Sequence, residues 1–322
     1  MRAVQITTLE GPASLEVAEV DEPAAGAESV IVDVHAAGVA FPEVLQSRGE
    51  YHLQRALPFI PGSEVAGIVR SAPPGSGLTA GQRVAAFPGL GGFAETVAAP
   101  PAVVFPLPGN VSFHAGAALP MNYLTVHFAL VRRGRLKAGD TVLVHGAAGG
   151  VGTAAVQLAA ALGARVIAVV SGAGKIGTAE AAGAGEVVLA DGFEDAVREL
   201  TGDRGADIVV DPVGGGRFAG SLRSLAREGR LLVIGFTGGE IPQVKVDSLL
   251  RGNLSVLGVG WGAFWMAQPS FLQEQWAALL PLLQAGKLQP VLGRRFPLEQ
   301  ASQALLELDQ RRALGKVLLD VR

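Results

Sequence analysis

The chain has 322 residues, of which 44 are glycine and none is cysteine, and its formal net charge is −3. This length suggests two domains with buried cores. A hydrophobic fraction of 49% excludes intrinsic disorder, and the lack of cysteine excludes disulfides, thiol nucleophiles, iron–sulfur clusters and cysteine-ligated zinc. The N-terminus turns polar too early for a signal peptide, no apolar run reaches the ~18 residues of a membrane span, and no long basic run suggests nucleic-acid binding. We therefore expect a soluble cytoplasmic protein without membrane or nucleic-acid partners.

The N-terminal 120 residues are predicted to be rich in β-strands. Short apolar runs alternate there with proline and glycine, which is typical of strands joined by tight turns. The runs are 29–34, 65–69, 83–87 and 93–98. This pattern predicts a compact antiparallel barrel or sandwich.

From about residue 120 to residue 260, strands alternate with alanine-rich helical patterns. Regular alternation of this kind predicts a doubly wound parallel sheet with helices on both faces, an α/β fold. The predicted strands are 141–144, 165–170, 186–189, 207–210, 231–234 and 255–259, and the helices begin near Gly150, Lys175, Phe193, Gly216 and Val246. After a break near residue 261, two helices (269–284 and 298–308) and a last strand (315–321) are predicted.

The most informative segment is the glycine-rich loop between the first strand and the first helix of this region. Its sequence, Ala147-x-Gly149-x-x-Gly152, is the dinucleotide-binding fingerprint with its first glycine replaced by alanine. Such glycines form the turn, let backbone amides approach a pyrophosphate and let the helix pack on the strand. The position of the pattern between a strand and a helix predicts a bound dinucleotide. The alternative is a plain tight turn without a ligand.

The second strand of the region indicates which dinucleotide is bound. An NAD site places Asp or Glu about 20 residues beyond the loop, where it binds the ribose hydroxyls. Here the strand ends in Ser171, and Lys175 follows, so the position offers a hydroxyl and a cation instead of a carboxylate. These groups suit a 2′-phosphate and favour NADP over NAD. Alternatively, Ser171 is an ordinary turn residue and Lys175 a solvated helix start.

Seven motifs together resemble the zinc-free quinone oxidoreductase branch of the medium-chain dehydrogenase/reductase superfamily. The resemblance extends over nearly the whole chain. It implies a Rossmann domain at 122–261 and a β-rich GroES-like substrate domain at 1–121 and 262–322. The motifs are 38–39, 57–67, 81–85, 91–95, 118–125 and 144–152, together with 258–264, which resembles the quinone oxidoreductase-like protein 2 subgroup.

Zinc-binding relatives carry a cysteine shortly after the glycine that matches Gly38 and a His-Glu pair after the one that matches Gly62. In this chain the corresponding positions hold Ala40, Ser63 and Glu64. None of the five histidines forms a spaced pair with carboxylates that would suit a metal. We therefore predict no metal site and no zinc. Hydride addition to an activated double bond or quinone is expected instead of zinc-dependent alcohol oxidation.

The resemblance implies that NADPH reduces a quinone or an α,β-unsaturated carbonyl (enone), while the protein positions the reactants and excludes water. It implies a cofactor site formed by Thr125, Ala148, Gly149, Gly150, Val151, Gly152, Ser171, Lys175, Gly235, Phe236, Val259 and Gly260. Tyr51 and Asn122 are the implied catalytic residues, and Phe41, Tyr51 and Trp261 the implied pocket residues. Tyr51 would donate a hydrogen bond to the substrate carbonyl.

The aromatic residues also have a purely structural interpretation. Tyr51 could be a packed ring, and Trp261 could form core with Phe264 and Trp265 instead of a wall for a planar substrate. Two departures from the family also matter. Many relatives have Asn where this chain has Ala40, near nicotinamide and substrate, and Tyr where it has Ala190, near the adenosine phosphate.

Two alternative functions follow. One is an enoyl-thioester (acryloyl- or crotonyl-CoA type) reductase of the same superfamily, in which Arg48, Arg55 and Lys245 would bind coenzyme A phosphates. The other is a catalytically weak NADPH-binding protein. The resemblance further implies a homodimer formed by pairing of the last strand of the parallel sheet, at 253–259, across a two-fold axis.

Overall fold

The computed structural model describes residues 1–24, 26 and 28–322. Its strands are β1 (Arg2–Ile6), β2 (Leu15–Glu19), β3 (Val30–Gly38), β4 (Glu64–Ser71), β5 (Arg83–Ala86), β6 (Thr96–Ala99), β7 (Val104–Pro106), β8 (Thr141–His145), β9 (Arg165–Val170), β10 (Glu186–Leu189), β11 (Ala206–Asp211), β12 (Leu225–Val233), β13 (Ser255–Gly258), β14 (Leu292–Pro297) and β15 (Lys316–Asp320). Its helices are α1 (Phe41–Ser47), α2 (Phe113–Ala117), α3 (Pro120–His127), α4 (Gly150–Ala161), α5 (Ile176–Ala181), α6 (Phe193–Leu200), α7 (Phe218–Arg223), α8 (Asp247–Leu250), α9 (Trp261–Ala267), α10 (Ser270–Gln284) and α11 (Ala301–Asp309). Within the described ranges, no helix has the combination of length and apolarity that crossing a bilayer requires.

The chain divides into two compact units. Unit 1 consists of Met1–Asn122, Pro269–Gly286 and Leu292–Arg322, and unit 2 of Tyr123–Gln268 and Lys287–Val291. The predicted substrate domain includes all residues from 262 onward, whereas α9 belongs to unit 2. Helix α9 packs within that unit: the ring of Phe264 lies 5.1 Å from that of Phe128, and the guanidinium of Arg132 lies over the ring of Phe264.

Unit 2 contains a six-stranded sheet in the order β10-β9-β8-β11-β12-β13, and every pair of neighbours is parallel. The α/β, doubly wound fold class is thereby confirmed. Leu143, Ile167, Val209 and Leu231 of the central strands are completely buried. Burial on both faces explains why these strands are continuous apolar runs rather than alternating ones.

Two elements of unit 2 begin elsewhere than predicted. β12 begins at Leu225 instead of at 231. The prediction missed its first half because that half contains the polar residues Arg227 and Glu228, and Glu228 has a φ of 61°. The helix expected near Gly216 begins at Phe218, since a short 3₁₀ turn, Gly215–Arg217, precedes it. Neither shift alters the alternation of strand and helix.

Unit 1 is built on a seven-stranded sheet in the order β14-β15-β3-β4-β5-β7, with β6 also paired to β3. Its pairs are antiparallel except for β14 with β15. β1 and β2 form a separate two-stranded sheet. The central strand β3 thus joins residues from the two ends of the chain, because it pairs with β4, β6 and β15.

Candidate functional site

The carboxyl ends of the parallel strands lie along one edge of the sheet in unit 2, and this edge holds most of the predicted cofactor residues. β9 and β11 flank β8, so the chain crosses from one side of β8 to the other at this point. Doubly wound sheets bind ligands at such a switch point. The loops that follow β8, β9, β12 and β13 contribute Ala148 to Gly152, Ser171, Gly235 and Phe236, and Val259 and Gly260, respectively.

The glycine loop after β8 brings helix α4 close to the strand. Gly146 has a φ of 59°, and its carbonyl accepts a hydrogen bond of 2.9 Å from the N–H of Gly149. A Cβ atom at Gly152 would lie 2.1 Å from the same carbonyl oxygen. Glycine at 152 is therefore a requirement of helix–strand contact. This is one of the three roles that glycines have in a dinucleotide-binding turn.

The N-terminus of α4 offers backbone N–H groups to an anion. Among the described residues no side chain caps this helix, and its first turn contains no acidic residue. Gly149, Gly150 and Val151 are partly exposed, whereas Ala147 and Ala148 are buried beneath them. A helix of 12 residues with an uncapped N-terminus favours a bound phosphate through its free N–H groups and its dipole.

Ser171 and Lys175 lie at the end of β9, next to the glycine loop in the sheet. Ser171 is exposed and Lys175 is partly exposed, at the end of the short turn Ala173–Lys175. The neighbouring strand β10 ends at a cleft of about 450 Å³, which is lined by Ala190, Asp191, Gly192, Phe193, Glu194 and Asp195. Glu194 pairs with Arg223 at 2.7 Å and Asp195 with Arg198 at 2.8 Å, so two of the three carboxylates are neutralised locally.

Asp211, which is not among the predicted site residues, fixes the turn after β11. Its buried Oδ1 accepts the N–H groups of Val213 at 2.8 Å and Gly214 at 2.9 Å. A Cβ at Gly214 would lie 2.9 Å from the ring of Phe236. The turn after β11 therefore packs against the side chain of Phe236, which is one of the residues predicted to contact the nicotinamide. The sequence feature that could have identified Asp211 is a carboxylate at the end of an apolar strand, followed by proline and glycine.

His145 joins the end of β8 to helix α7. Its Nε2 lies 2.8 Å from the hydroxyl of Ser221, and its ring meets that of Phe193 edge-on, with centroids 4.9 Å apart. Burial lowers the pKa of His145 to about 4. The imidazole is therefore neutral at physiological pH and serves to anchor the strand that leads into the glycine loop.

The other predicted residues of unit 2 differ in exposure. Val259 is buried, and its N–H donates to the carbonyl of Val233 at 2.9 Å, while Gly260 is exposed. Trp261 is buried and lies 6.0 Å from Trp265, measured between ring centroids. Thr125 is buried in α3.

The substrate-side residues Phe41, Tyr51 and Asn122 belong to unit 1. Phe41 begins α1 and is partly exposed, and Asn122 is buried in α3. Tyr51 is partly exposed, and its ring lies 4.4 Å from that of His52. Burial, and secondly the carboxylate of Glu43, raise the pKa of Tyr51, so its hydroxyl keeps its proton at neutral pH. No group of three or more His, Asp or Glu side chains in the described part of the chain is arranged to hold a metal ion.

Comparisons with known proteins agree with this architecture. A model described as zinc-binding dehydrogenase matches residues 150–285, and one described as alcohol dehydrogenase GroES-like domain matches residues 26–109. Quinone oxidoreductase-like protein 2 of Bos taurus is 36% identical over 325 residues, which cover 100% of this chain and 93% of that protein.

Two solved structures resemble the chain over its whole length. A probable oxidoreductase from Mycobacterium abscessus is 44% identical with a TM-score of 0.92, covering 100% of this chain and 99% of that one. The quinone oxidoreductase of Thermus thermophilus, whose complex with NADPH has also been solved, is 36% identical with a TM-score of 0.86, covering 100% of both chains. From its two units, its glycine loop and these relatives, the chain belongs to the quinone oxidoreductase family of medium-chain dehydrogenases/reductases and is an oxidoreductase.

Proposed function

We propose that the protein is an NADPH-dependent, zinc-independent reductase that transfers a hydride to a quinone or an enone. The observation that carries the proposal is the uncapped start of α4, which the close contact of Gly152 with the carbonyl of Gly146 holds at the carboxyl edge of the sheet. The complex of the Thermus thermophilus relative with NADPH supports the choice of cofactor.

The residues of unit 2 fit this cofactor. The N–H groups of Gly150, Val151 and Gly152, next to Ala148 and Gly149, would hold the pyrophosphate. Ser171 and Lys175 would bind the 2′-phosphate. NADPH supplies the hydride when bound, and its nicotinamide would be held by Thr125, Gly235, Phe236, Val259 and Gly260.

Unit 1 supplies the groups that act on the substrate. Tyr51, protonated because its pKa is raised, would donate to the carbonyl oxygen on which negative charge develops during reduction. Asn122 is a second polar candidate, and Phe41 would offer an apolar contact to the substrate. These groups orient a planar acceptor and exclude water from it.

The proposal is tested by following NADPH absorbance with 1,4-benzoquinone, 9,10-phenanthrenequinone, acrolein and crotonyl-CoA. We expect turnover with the quinones or acrolein. No turnover with any acceptor would contradict the proposal and leave a catalytically weak NADPH-binding protein. Turnover of crotonyl-CoA alone would favour the enoyl-thioester alternative. One of the three cations needed for that alternative, Arg48, is paired with Asp309 at 2.8 Å.

The choice between NADPH and NADH depends on Lys175. Lys175→Glu replaces a cation with an anion where the 2′-phosphate would lie, so we expect the Kd for NADPH to rise about 10- to 100-fold and the Kd for NADH to stay nearly unchanged. Lys137→Glu is the matched control, because this exposed lysine precedes β8 at the opposite end of the strand. A wild-type protein that binds NADH more tightly than NADPH would show that Ser171 and Lys175 are not the phosphate site.

We also propose that two copies of the chain form a homodimer through β13. This strand lies at one edge of the parallel sheet of unit 2. The segment before it carries three strongly exposed apolar side chains, Ile241 (71%), Val246 (69%) and Leu250 (76%). An apolar edge of this kind suits pairing with a second copy.

A further inference from the structure

Unit 1 contains four polar side chains that are almost completely buried and are linked by hydrogen bonds, an ion pair and electrostatic contact. We call them the buried clamp: Glu43, Ser63, Glu64 and Lys316. We propose that the buried clamp positions the two backbone segments that carry Phe41 and Asn122. The proposal rests on the proposed function, because these two residues are candidates there for contact with the substrate.

One arm of the buried clamp fixes the start of helix α1. The Oε2 atom of Glu43 accepts the N–H of Ala40 at 2.9 Å, and its Oε1 accepts the N–H of Ser63 at 2.9 Å together with the hydroxyl of Ser63. A single carboxylate thereby ties the residue before α1 to the residue before β4. Phe41 directly follows Ala40, so the same contacts determine where its side chain begins.

The other arm fixes the start of helix α3. The Oε2 atom of Glu64 accepts the N–H of Met121 at 2.8 Å, one residue before Asn122. The ammonium of Lys316 in β15 pairs with Oε1 of the same carboxylate. Gly38 in β3 lies opposite Glu64 in β4. A Cβ at Gly38 would lie 2.7 Å from the Cγ of Glu64, so the side chain of Glu64 can take this position only because residue 38 is glycine.

The charges of the buried clamp suit the positioning of backbone segments better than the stabilisation of the fold. One ammonium faces two carboxylates, and burial raises the pKa of Glu43, while Ser63 and Lys316 oppose that rise. A buried ion pair contributes little net stability compared with apolar side chains of the same shape. What it does provide here is an acceptor for backbone N–H groups at two helix starts, groups that no intrahelical carbonyl can satisfy.

Two double variants separate this role from simple stabilisation. Glu64→Gln with Lys316→Met, and Glu64→Leu with Lys316→Met, both remove the same two charges, but only the first keeps an oxygen that can accept the N–H of Met121. We expect kcat/KM for the acceptor to fall about 10- to 100-fold in the Leu/Met protein and much less in the Gln/Met protein. The Kd for NADPH should change much less than kcat/KM in both, since the glycine loop, Ser171 and Lys175 lie in unit 2 and only Thr125 shares α3 with Met121.

A control variant shows what loss of a buried carboxylate and its ion pairs does by itself. Glu307→Gln removes a buried carboxylate of unit 1 that pairs with Arg294 at 2.8 Å and Arg312 at 3.0 Å. We expect it to lower the Tm and leave kcat/KM unchanged. Equal kcat/KM values in the two double variants would overturn the proposal.

Amide hydrogen exchange gives a readout that needs no turnover. The N–H of Met121 should exchange faster in the Leu/Met protein than in the Gln/Met protein, and equal rates would contradict the proposal even if the wild type reduces no acceptor. Failure of the proposed function is thus distinguishable from failure of the clamp. If the Leu/Met protein does not fold, Glu43→Gln tests the first arm, because the one remaining oxygen can take the place of only one of the two carboxylate oxygens that accept the N–H groups of Ala40 and Ser63. Unchanged kcat/KM together with unchanged exchange at both Ala40 and Ser63 would then refute the role of Glu43.

Discussion

Tyr51 is the residue whose surroundings most directly suit proton donation. Its pKa is raised by burial and by Glu43, so the hydroxyl keeps its proton at neutral and mildly alkaline pH, and kcat/KM should show no decline between about pH 7 and pH 9 from this group. Tyr51→Phe removes the donor and keeps the ring. We expect it to lower kcat/KM by about 100-fold or more while leaving the Kd for NADPH unchanged.

The second tyrosine of the chain provides the control for this prediction. The hydroxyl of Tyr123 donates to Gln157 at 2.6 Å within unit 2. Tyr123→Phe should therefore lower the Tm and keep kcat/KM at the wild-type value. Full activity of Tyr51→Phe would mean that Tyr51 is a packed ring, which is the alternative left open by its sequence position.

At the scale of the elements, the close packing of α4 on β8 requires that residue 152 is glycine. Gly152→Ala would place a Cβ 2.1 Å from the carbonyl oxygen of Gly146, which forces the helix away from the strand. We expect a loss of about 1–3 kcal/mol in the free energy of unfolding, together with weaker NADPH binding. Urea unfolding and fluorescence titration measure the two effects.

Gly177 in α5 is the matched control for this substitution. It is exposed, and a Cβ there would meet no atom within 4 Å. Gly177→Ala should therefore raise the free energy of unfolding by about 0.5–1 kcal/mol and leave NADPH binding unchanged. A Gly152→Ala protein that binds NADPH as tightly as the wild type would show that the loop does not hold the cofactor.

The contact between β8 and α7 makes stability depend on pH through His145. Its pKa is about 4 in the folded chain and about 6.5 in the unfolded one, so the unfolded chain binds the extra proton between these values. The free energy of unfolding should thus fall by about 3 kcal/mol from this residue as the pH drops from 6.5 to 4. His145→Gln should flatten the pH dependence of urea unfolding, whereas His52→Gln, at an exposed position, should not. Equal slopes for wild type and His145→Gln would contradict this.

The elements of the two units differ in how well the sequence predicts them. The strands of unit 2 are predicted almost to the residue except for β12, because each is a continuous apolar run buried on both faces. The strands β1, β2, β7 and β14 are not predicted. β2 is mostly exposed, and Arg294 and Arg295 make β14 resemble a polar loop. The helices α1, α2, α3 and α9 are missed as well, and α1 is short with Pro42 in its first turn.

At the scale of the whole molecule, the proposed homodimer depends on the edge strand β13. Leu257→Lys places a charge on this partly buried edge strand, and lysine at an edge discourages pairing with another strand. We expect light scattering after size-exclusion chromatography to show two chains per particle for the wild type and one for the variant. Leu189→Lys, on the opposite edge strand β10, should leave the dimer intact. A monomeric wild type would contradict the proposal.

Interactions between distant parts of the chain set the limit of prediction from sequence. The glycine loop, Ser171 and Lys175 follow from local spacing, because a strand, a turn and a helix are enough to predict a phosphate site. The pairing of Glu64 with Lys316 joins segments of β4 and β15 that are 252 residues apart in the sequence, and in the sequence each residue is a single charge beside an apolar run. The ion pair between Glu64 and Lys316 can be recognised only from the pairing of β15 with β3, which the sequence does not predict.

The position of β15 also has a consequence for how the chain is made. All six strands of unit 2 have been synthesised once residue 258 is made, whereas the sheet of unit 1 is complete only after β14 and β15, at Leu292–Pro297 and Lys316–Asp320, have been made. The end of β3, which pairs with β15 in the folded protein, therefore has an unpaired edge until β15 is synthesised. Unit 1 contains the first strands to be made but can be completed only after unit 2, and an unpaired strand edge of this kind is prone to aggregation in a nascent chain.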